Sequence, residues 1–162
     1  MQSKQRKTGP PGWVWGIGVV VGLIVVIDRS LKVWALSLPV GGGFFIGDSV
    51  GLGLFQNTQA VFGIPRIPFV FDSLVLCVGI FLAYASLRAF RNREQWMFFG
   101  LLMILTGGAS NILDRFRHGF VVDFIYAGSA VFNLADAMIA AGFAIAALQL
   151  FAKKGRHYSY KN

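Results

Sequence analysis

The sequence predicts an all-α membrane protein with four transmembrane helices and a small exported β-rich surface domain between helices 1 and 2. Of its 162 residues, 56% are hydrophobic and only 14% are charged, whereas soluble domains carry about a quarter charged residues. The mean hydropathy is +0.63. The net charge of +8 arises from basic residues that cluster at the ends of apolar runs. That arrangement follows the positive-inside rule and does not form a stripe that would bind nucleic acid.

Four apolar segments are long enough to cross the roughly 30 Å hydrocarbon core as helices. We predict one membrane domain at 13–152, with helices at about 13–38, 69–90, 96–113 and 131–152 and exported loops at 41–68 and 115–130. Basic clusters lie in the tail 1–12, between the second and third helices, and in the tail 153–162. Because all three then fall on one side, we expect both termini to be cytoplasmic.

The first exported loop carries the signals for strands. Three glycines at 41–43 break the first helix, and the short alternating apolar patterns at 44–46 and 50–55 are typical of strands. We therefore expect a small sheet that lies on the membrane surface within this loop.

The acidic residues are distributed unevenly across the predicted topology. Only Glu94 falls on the cytoplasmic side, and the other six acids fall in exported loops or exported halves of helices: Asp28, Asp48, Asp72, Asp114, Asp123 and Asp136. Ionisable groups are costly beside hydrocarbon and therefore indicate function by default. The sequence thus predicts a functional site near the exported face.

Asp123 and Asp136 are the strongest candidates for chemistry. Asp136 lies in the first turns of the fourth helix and shares a helix face with Asn133, three residues earlier. Asp123 is flanked by apolar residues, and the thirteen-residue separation lets the chain bring both carboxyls together. Two adjacent carboxylates in a partly dry site share one proton, which is the arrangement of aspartic proteases. The alternative is that these aspartates only cap or bridge helices.

Several other polar residues have both a structural and a functional interpretation. Asp28 and Lys32 are spaced i, i+4 with the acid first, which favours a neutralised pair. Asp114 and Arg115 end the third helix, where we expect them to pair with each other. Arg29 is expected to extend towards the interface.

Two asparagines also lie in or near the exported loops. Asn111, one turn before the end of the third helix, is expected to reach backbone carbonyls near the site. Asn57, between apolar runs, is either a turn residue or a substrate contact. Three acids and one histidine lie in or beside the second exported loop: Asp114, Asp123, Asp136 and His118. They have no tight spacing typical of metal ligands, so we predict no metal site.

Five motifs occur in order along the chain: Asp28-Arg-Ser-Leu-Lys32, Asn57-Thr-Gln-Ala-Val-Phe62-Gly63, Gly107-Gly-Ala-Ser-Asn111-Ile-Leu-Asp114-Arg115, Val121-Val-Asp123-Phe124 and Phe132-Asn133-Leu-Ala-Asp136. Together they resemble the motifs of the bacterial lipoprotein signal peptidases (signal peptidase II), which are membrane aspartic peptidases. The resemblance covers nearly the whole chain, from the first to the fourth predicted helix.

The resemblance implies that Asp123 and Asp136 are the catalytic dyad, and that four polar residues line the site: Asn57, Asn111, Arg115 and Asn133. It implies a lipoprotein precursor as substrate, with diacylglycerol already on the cysteine before which the chain is cut. No metal or organic cofactor is implied. We expect a monomer in the bacterial cytoplasmic (inner) membrane, in contact with lipid.

The sequence departs from the family pattern in the loop after Asn57. Gln59 stands where the family has glycine, and Val61 where alanine is usual. The first motif has Leu31 where Ser or Thr is usual, and the loop between the two aspartates is short and lacks the tryptophan often found there. The departure at Gln59 leaves open a catalytically silent relative that binds lipidated peptides. A further hypothesis is a small proton-coupled carrier that uses the acids as a relay.

Overall fold

The computed structural model describes residues 11–47, 49–59 and 68–159, with the backbone alone for 68–72 and 153–159. The expectations for most of the N-terminal tail, for Asp48, for Val61 with the rest of 60–67, and for 160–162 fall outside the described residues.

Four long helices make up the larger part of the fold: α1 (Gly12–Leu36), α2 (Pro68–Arg91), α3 (Gln95–His118) and α4 (Leu134–Ser159). Each contains a segment long and apolar enough to cross a membrane, as judged by length and composition. The prediction of four helices that are able to cross a membrane is thereby confirmed. The helix α4 continues seven residues past 152, into the segment expected to be a tail.

The helix α3 extends five residues beyond its predicted end at 113. It stops at Gly119, which has a left-handed φ of 80° and donates its backbone N–H to the carbonyl of Arg115. Glycine adopts this conformation without steric strain and commonly ends helices. The polar residues near position 113 do not end the helix because Asn111 and Asp114 are buried on its inner face.

A four-stranded antiparallel sheet covers one end of the helices, in the order β1 (Gly43–Ile46), β2 (Val50–Asn57), β3 (Val121–Ala127) and β4 (Ala130–Phe132). The predicted strands between helices 1 and 2 are present as β1 and β2. The expectation that the β structure is confined to this loop was wrong. Two strands come from the connection between α3 and α4, which was predicted as a loop. We call this end of the bundle, where α1 and α3 finish and α2 and α4 begin, the sheet end.

The pairing of β2 with β3 determines which residues meet at the sheet end. Phe55 lies opposite Asp123 and Asn57 opposite Val121, with an irregularity in register between Leu52 and Phe55. Residues on neighbouring strands lie about 5 Å apart. Asn57 is thereby brought beside Asp123, although 66 residues separate them in the chain.

Close packing of α3 on α4 brings the second candidate aspartate to the same place. A Cβ atom at Gly107 would lie 2.6 Å from the carbonyl oxygen of Ala135, and one at Gly100 would lie 2.8 Å from that of Gly142. Small residues permit this approach between helices in membranes. Because Asp136 follows Ala135, the contact at Gly107 holds the start of α4 against the inner face of α3.

Candidate active site

Asp123 is a buried carboxylate on β3, with 1% of its surface exposed. It accepts hydrogen bonds from Asn57 Nδ2 at 2.8 Å and from Asn133 Nδ2 at 2.6 Å. Burial raises the pKa of Asp123 to about 6, and the charge of Asp136 acts in the same direction. The two amide hydrogen bonds and the charge of Lys32 oppose the rise, since they stabilise the ionised form.

Asp136 lies in the first turn of α4, where it is partly exposed. Its backbone N–H donates to Asn133 Oδ1 at 2.9 Å, and its Oδ2 accepts the backbone N–H of Asn133 at 3.2 Å. This is a reciprocal capping box with aspartate as the acidic member. Its Oδ1 accepts a third hydrogen bond, from Asn111 Nδ2 at 2.7 Å.

Asn133 connects the two carboxylates. It is fully buried, and its Nδ2 donates both to Asp123 and to Asn111 Oδ1, the latter at 3.1 Å. The structure therefore brings Asp123, Asp136, Asn57, Asn111 and Asn133 into one hydrogen-bonded group. Asp136 does take part in the cap of its helix, as the structural interpretation expected. Asn133, the other member of that cap, also donates to Asp123.

A buried group of charges lies behind this site. Lys32 Nζ is 2.7 Å from Asp114 Oδ2 and 3.4 Å from Asp28 Oδ2, and Arg29 Nη2 is 2.5 Å from Asp114 Oδ1. The structure contains the predicted pair of Asp28 and Lys32. Asp114 was expected to pair with Arg115, but its ion pairs are with Arg29 and Lys32 of α1, because its side chain lies on the inner face of α3.

Asn111 likewise differs from its expected role. Its oxygen accepts from Lys32 Nζ at 2.9 Å and its nitrogen donates to Asp136, so it binds side chains and not backbone carbonyls. Ser110 was not singled out from the sequence, yet its hydroxyl donates to Asp28 at 2.5 Å. Its spacing of four residues before Asp114 was the available signal, since residues i and i+4 share a helix face.

Arg115 joins α3 to the chain that follows β2. Its Nη2 donates to the backbone carbonyl of Gln59 at 3.0 Å, and the backbone N–H of Gln59 donates to Asn57 Oδ1 at 3.1 Å. Among the described residues other than glycine, Arg93 alone has a positive φ. Gln59 therefore occupies the family's glycine position without a left-handed backbone.

Within the described ranges there is no group of three or more His, Cys, Asp or Glu residues that could hold a metal ion. His118, at the end of α3, instead lies against the ring of Phe120, with the ring centres 5.8 Å apart. The polar groups that the structure brings together at this site are the carboxylates of Asp123 and Asp136 and the side-chain amides of Asn57, Asn111 and Asn133.

Known proteins are similar to this chain in sequence and in fold. A family model described as signal peptidase (SPase) II matches residues 20–152. A lipoprotein signal peptidase from Caldanaerobacter subterraneus subsp. tengcongensis is 33% identical over 85% of this chain and 97% of its own length. Its counterpart in Syntrophomonas wolfei is 36% identical over 74% and 82%, and that of Streptococcus pneumoniae is 31% identical over 80% and 88%.

The fold also matches a solved bacterial membrane enzyme with a TM-score of 0.73, over 88% of this chain and 92% of the other, at 22% identity. A second solved bacterial membrane enzyme matches with a TM-score of 0.69. At such identities the likeness concerns the fold alone, whereas the family model spans most of the sequence. The chain belongs to the signal peptidase II family of membrane peptidases.

Proposed function

We propose that this protein is an aspartic endopeptidase that removes signal peptides from diacylglyceryl-modified prolipoproteins, cutting before the lipidated cysteine. Family membership and relatives named lipoprotein signal peptidase support the reaction. The observation that carries the assignment of residues is the shared Asn133, which binds Asp123 directly and Asp136 through its backbone and side chain.

The two aspartates have different environments, and these favour different roles. Asp136 is partly exposed and acts as the base that takes a proton from the attacking water. Asp123 is buried with a raised pKa and donates its proton to the oxygen of the scissile carbonyl. Water then adds to the carbonyl carbon to give a neutral gem-diol. In the second step the C–N bond breaks, Asp136 returns its proton to the leaving amine, and Asp123 recovers a proton from the diol.

Three further residues support the dyad in this proposal. Asn57 and Asn111 each donate to one aspartate, and Arg115 fixes the segment around Gln59 beside Asn57. Asp28, Lys32 and Asp114 form the buried support behind them.

The expected location is the bacterial cytoplasmic membrane, with both termini in the cytoplasm and the dyad near the exported face. Arg88, Arg91 and Arg93 lie where α2 ends and α3 begins, at the end of the bundle opposite the dyad. Because basic residues mark the cytoplasmic side, the sheet end then faces outward. A substrate cysteine anchored by its diacylglycerol in the outer leaflet presents its preceding peptide bond at that depth. We propose that a monomer is sufficient.

The test is cleavage of a diacylglyceryl-modified prolipoprotein by the purified protein, followed as a shift on a gel. We expect Asp123→Asn and Asp136→Asn to remain folded and lose cleavage. The matched control is Glu94→Gln, which removes an acid at the opposite end and should cleave normally. Full activity in either aspartate variant contradicts the dyad.

The same experiment separates the alternatives. Failure of the unmodified protein to cleave, while it binds the lipidated peptide, indicates the catalytically silent relative. The carrier hypothesis requires a series of acids across the bilayer. Among the acidic side chains that the structure describes, Glu94 lies at the opposite end of the bundle. The other four lie at the sheet end: Asp28, Asp114, Asp123 and Asp136. The geometry therefore favours the peptidase.

A further inference from the structure

Two buried carboxylates outside the dyad each hold the residue that precedes a dyad aspartate. Asp114 Oδ2 accepts the backbone N–H of Val122 at 3.3 Å, directly before Asp123. Asp28 Oδ1 accepts the backbone N–H of Ala135 at 3.0 Å, directly before Asp136. The positions of β3 and α4 relative to each other therefore depend on where these two carboxylates lie.

A single ammonium group joins the two carboxylates. Lys32 Nζ lies 2.7 Å from Asp114 Oδ2 and 3.4 Å from Asp28 Oδ2, and its side chain is 2% exposed. Arg29 pairs with Asp114 from the more exposed side, which makes the group of two acids and two bases neutral. Buried ion pairs add little net stability in general, but they require one particular geometry.

The same ammonium group orients an amide that contacts the dyad. Lys32 Nζ donates to Asn111 Oδ1 at 2.9 Å, and an ammonium has no acceptor. The Asn111 oxygen must therefore face Lys32, which leaves its Nδ2 directed at Asp136 Oδ1. With the amide reversed, two donors would face each other at Lys32 and two acceptors at Asp136.

We propose that Lys32 is a positioning residue of the dyad, which sets the separation of Asp123 and Asp136 through Asp114 and Asp28 and sets the direction of the Asn111 amide. The inference rests on the proposed dyad. Lys32 has no direct hydrogen bond to either dyad aspartate among its described contacts, so it acts through other groups.

The test removes Lys32 while keeping the buried group neutral. In Lys32→Met/Asp114→Asn, the new asparagine oxygen still accepts the Val122 N–H, and Arg29 remains paired with Asp28. In Lys32→Met/Asp28→Asn, Arg29 remains paired with Asp114. Two variants are used so that a folded protein is available if one of them fails to fold, since each carries the same loss of Lys32.

We expect kcat to fall by about 100-fold in a folded variant, the effect of a small misplacement of reacting groups, while KM changes less than about threefold. The two limbs of the pH profile should also change their separation, because the coupling between two carboxylates depends on their distance. The control Leu101→Ala lowers stability by removing a buried side chain of α3 far from the site. It should retain the normal pH profile.

A second measurement tests the route through Asn111. If Lys32 acts partly through that amide, Asn111→Ala should lower kcat by less in the Lys32 variants than in the unmodified protein, since groups in one network are not additive. Unchanged kcat and pH profile in a folded Lys32 variant overturn the proposal. That result differs from failure of the dyad, which is shown by activity of Asp123→Asn or Asp136→Asn in the unmodified background.

Discussion

The two ends of the helix bundle are built from the same four apolar helices but treat polar groups in opposite ways. At the sheet end, Asp28, Lys32 and Asp114 are buried with partners, and so are Asp123 and Asn133. At the opposite end, the rings of Trp13, Phe90 and Phe98 pack edge to face or tilted against one another. The exposed Arg91 ends α2, and the exposed Arg93 lies in the turn that follows.

This difference separates an end that is stabilised by apolar packing from an end that depends on specific pairs of polar groups. Aromatic packing contributes apolar burial without a desolvation penalty, whereas each buried charge is stable only with a specific partner. The buried polar groups of the sheet end therefore depend on one another for hydrogen bonds and charge pairing. Single changes there should affect activity strongly, while equivalent changes at the opposite end should be tolerated.

The largest effect is expected at Asn133. Asn133→Ala removes the donor to Asp123, the donor to Asn111 and the side-chain cap of α4. We expect kcat to fall on the order of 10³-fold, within the range for loss of general acid–base catalysis. Unfolding free energy should fall by about 1 kcal/mol from the lost cap.

Asn92→Ala is the matched control, since it truncates an exposed asparagine in the turn after α2 at the opposite end. Cleavage kinetics for both variants check the comparison. Equal losses of activity at Asn92 and Asn133 would show that the two ends do not differ in the way proposed.

The next effect is a dependence of stability on pH that comes from Asp123. Its folded pKa is about 6 against an ordinary value of 3.8, so the folded state binds more protons than the unfolded state between these pH values. The contribution of Asp123 to the free energy of unfolding should therefore be fully present below pH 3.8 and be lost as pH rises through about 6, by on the order of 2–3 kcal/mol.

Thermal unfolding in detergent across this pH window measures that slope. Asp123→Asn should remove this contribution, and Glu94→Gln at the opposite end should leave it in place. A slope of the same size in Asp123→Asn would assign it to another group.

Sequence reasoning predicted the parts of this molecule that depend on local patterns. Apolar length and basic flanks were sufficient for the four helices, and the spacing of Asp28 and Lys32 was sufficient for their pair. It did not find that Asp114 pairs with Arg29 and Lys32, because a charge on one helix carries no sign of which helix it faces.

The strand β3 was missed for a related reason. Val121–Ala127 is a short apolar run whose partner β2 lies about 70 residues earlier, and pairing between distant segments has no periodic signal. Asp123 was still identified, because its apolar neighbours marked a carboxylate held out of solvent. Its contact with Asn57 became visible only when the two strands were placed side by side.

An effect of intermediate size is expected where α3 packs on α4, at the first of two adjacent glycines. A Cβ at Gly107 would clash with the carbonyl of Ala135 at 2.6 Å, whereas one at Gly108 has open space. Gly107→Ala should lower the free energy of unfolding by about 1–3 kcal/mol, as overpacking does. It should also lower activity, because Asp136 follows the displaced residue.

Gly108→Ala is the control for helix propensity, since it adds the same methyl group to the same helix. It should keep or raise stability, by up to about 1 kcal/mol. The melting temperatures of the two variants test this prediction. Equal shifts in the two variants would show that close packing at Gly107 is not what stabilises the contact between α3 and α4.

The smallest effect is expected at Asn57, which ends β2 and donates to Asp123. Asn57→Ala removes a hydrogen bond that favours the ionised form of Asp123, so the pKa of that carboxyl should move above its value of about 6. If protonated Asp123 is the acid, the fall of kcat/KM on the alkaline side should shift to higher pH, with a maximum about tenfold lower. Gln59→Gly is the control, because Gln59 contributes its backbone N–H to Asn57 and its carbonyl to Arg115, and glycine keeps both. A pH profile of kcat/KM that shifts in Gln59→Gly but not in Asn57→Ala would show that the loop around Gln59, and not the Asn57 amide, sets the pKa of Asp123.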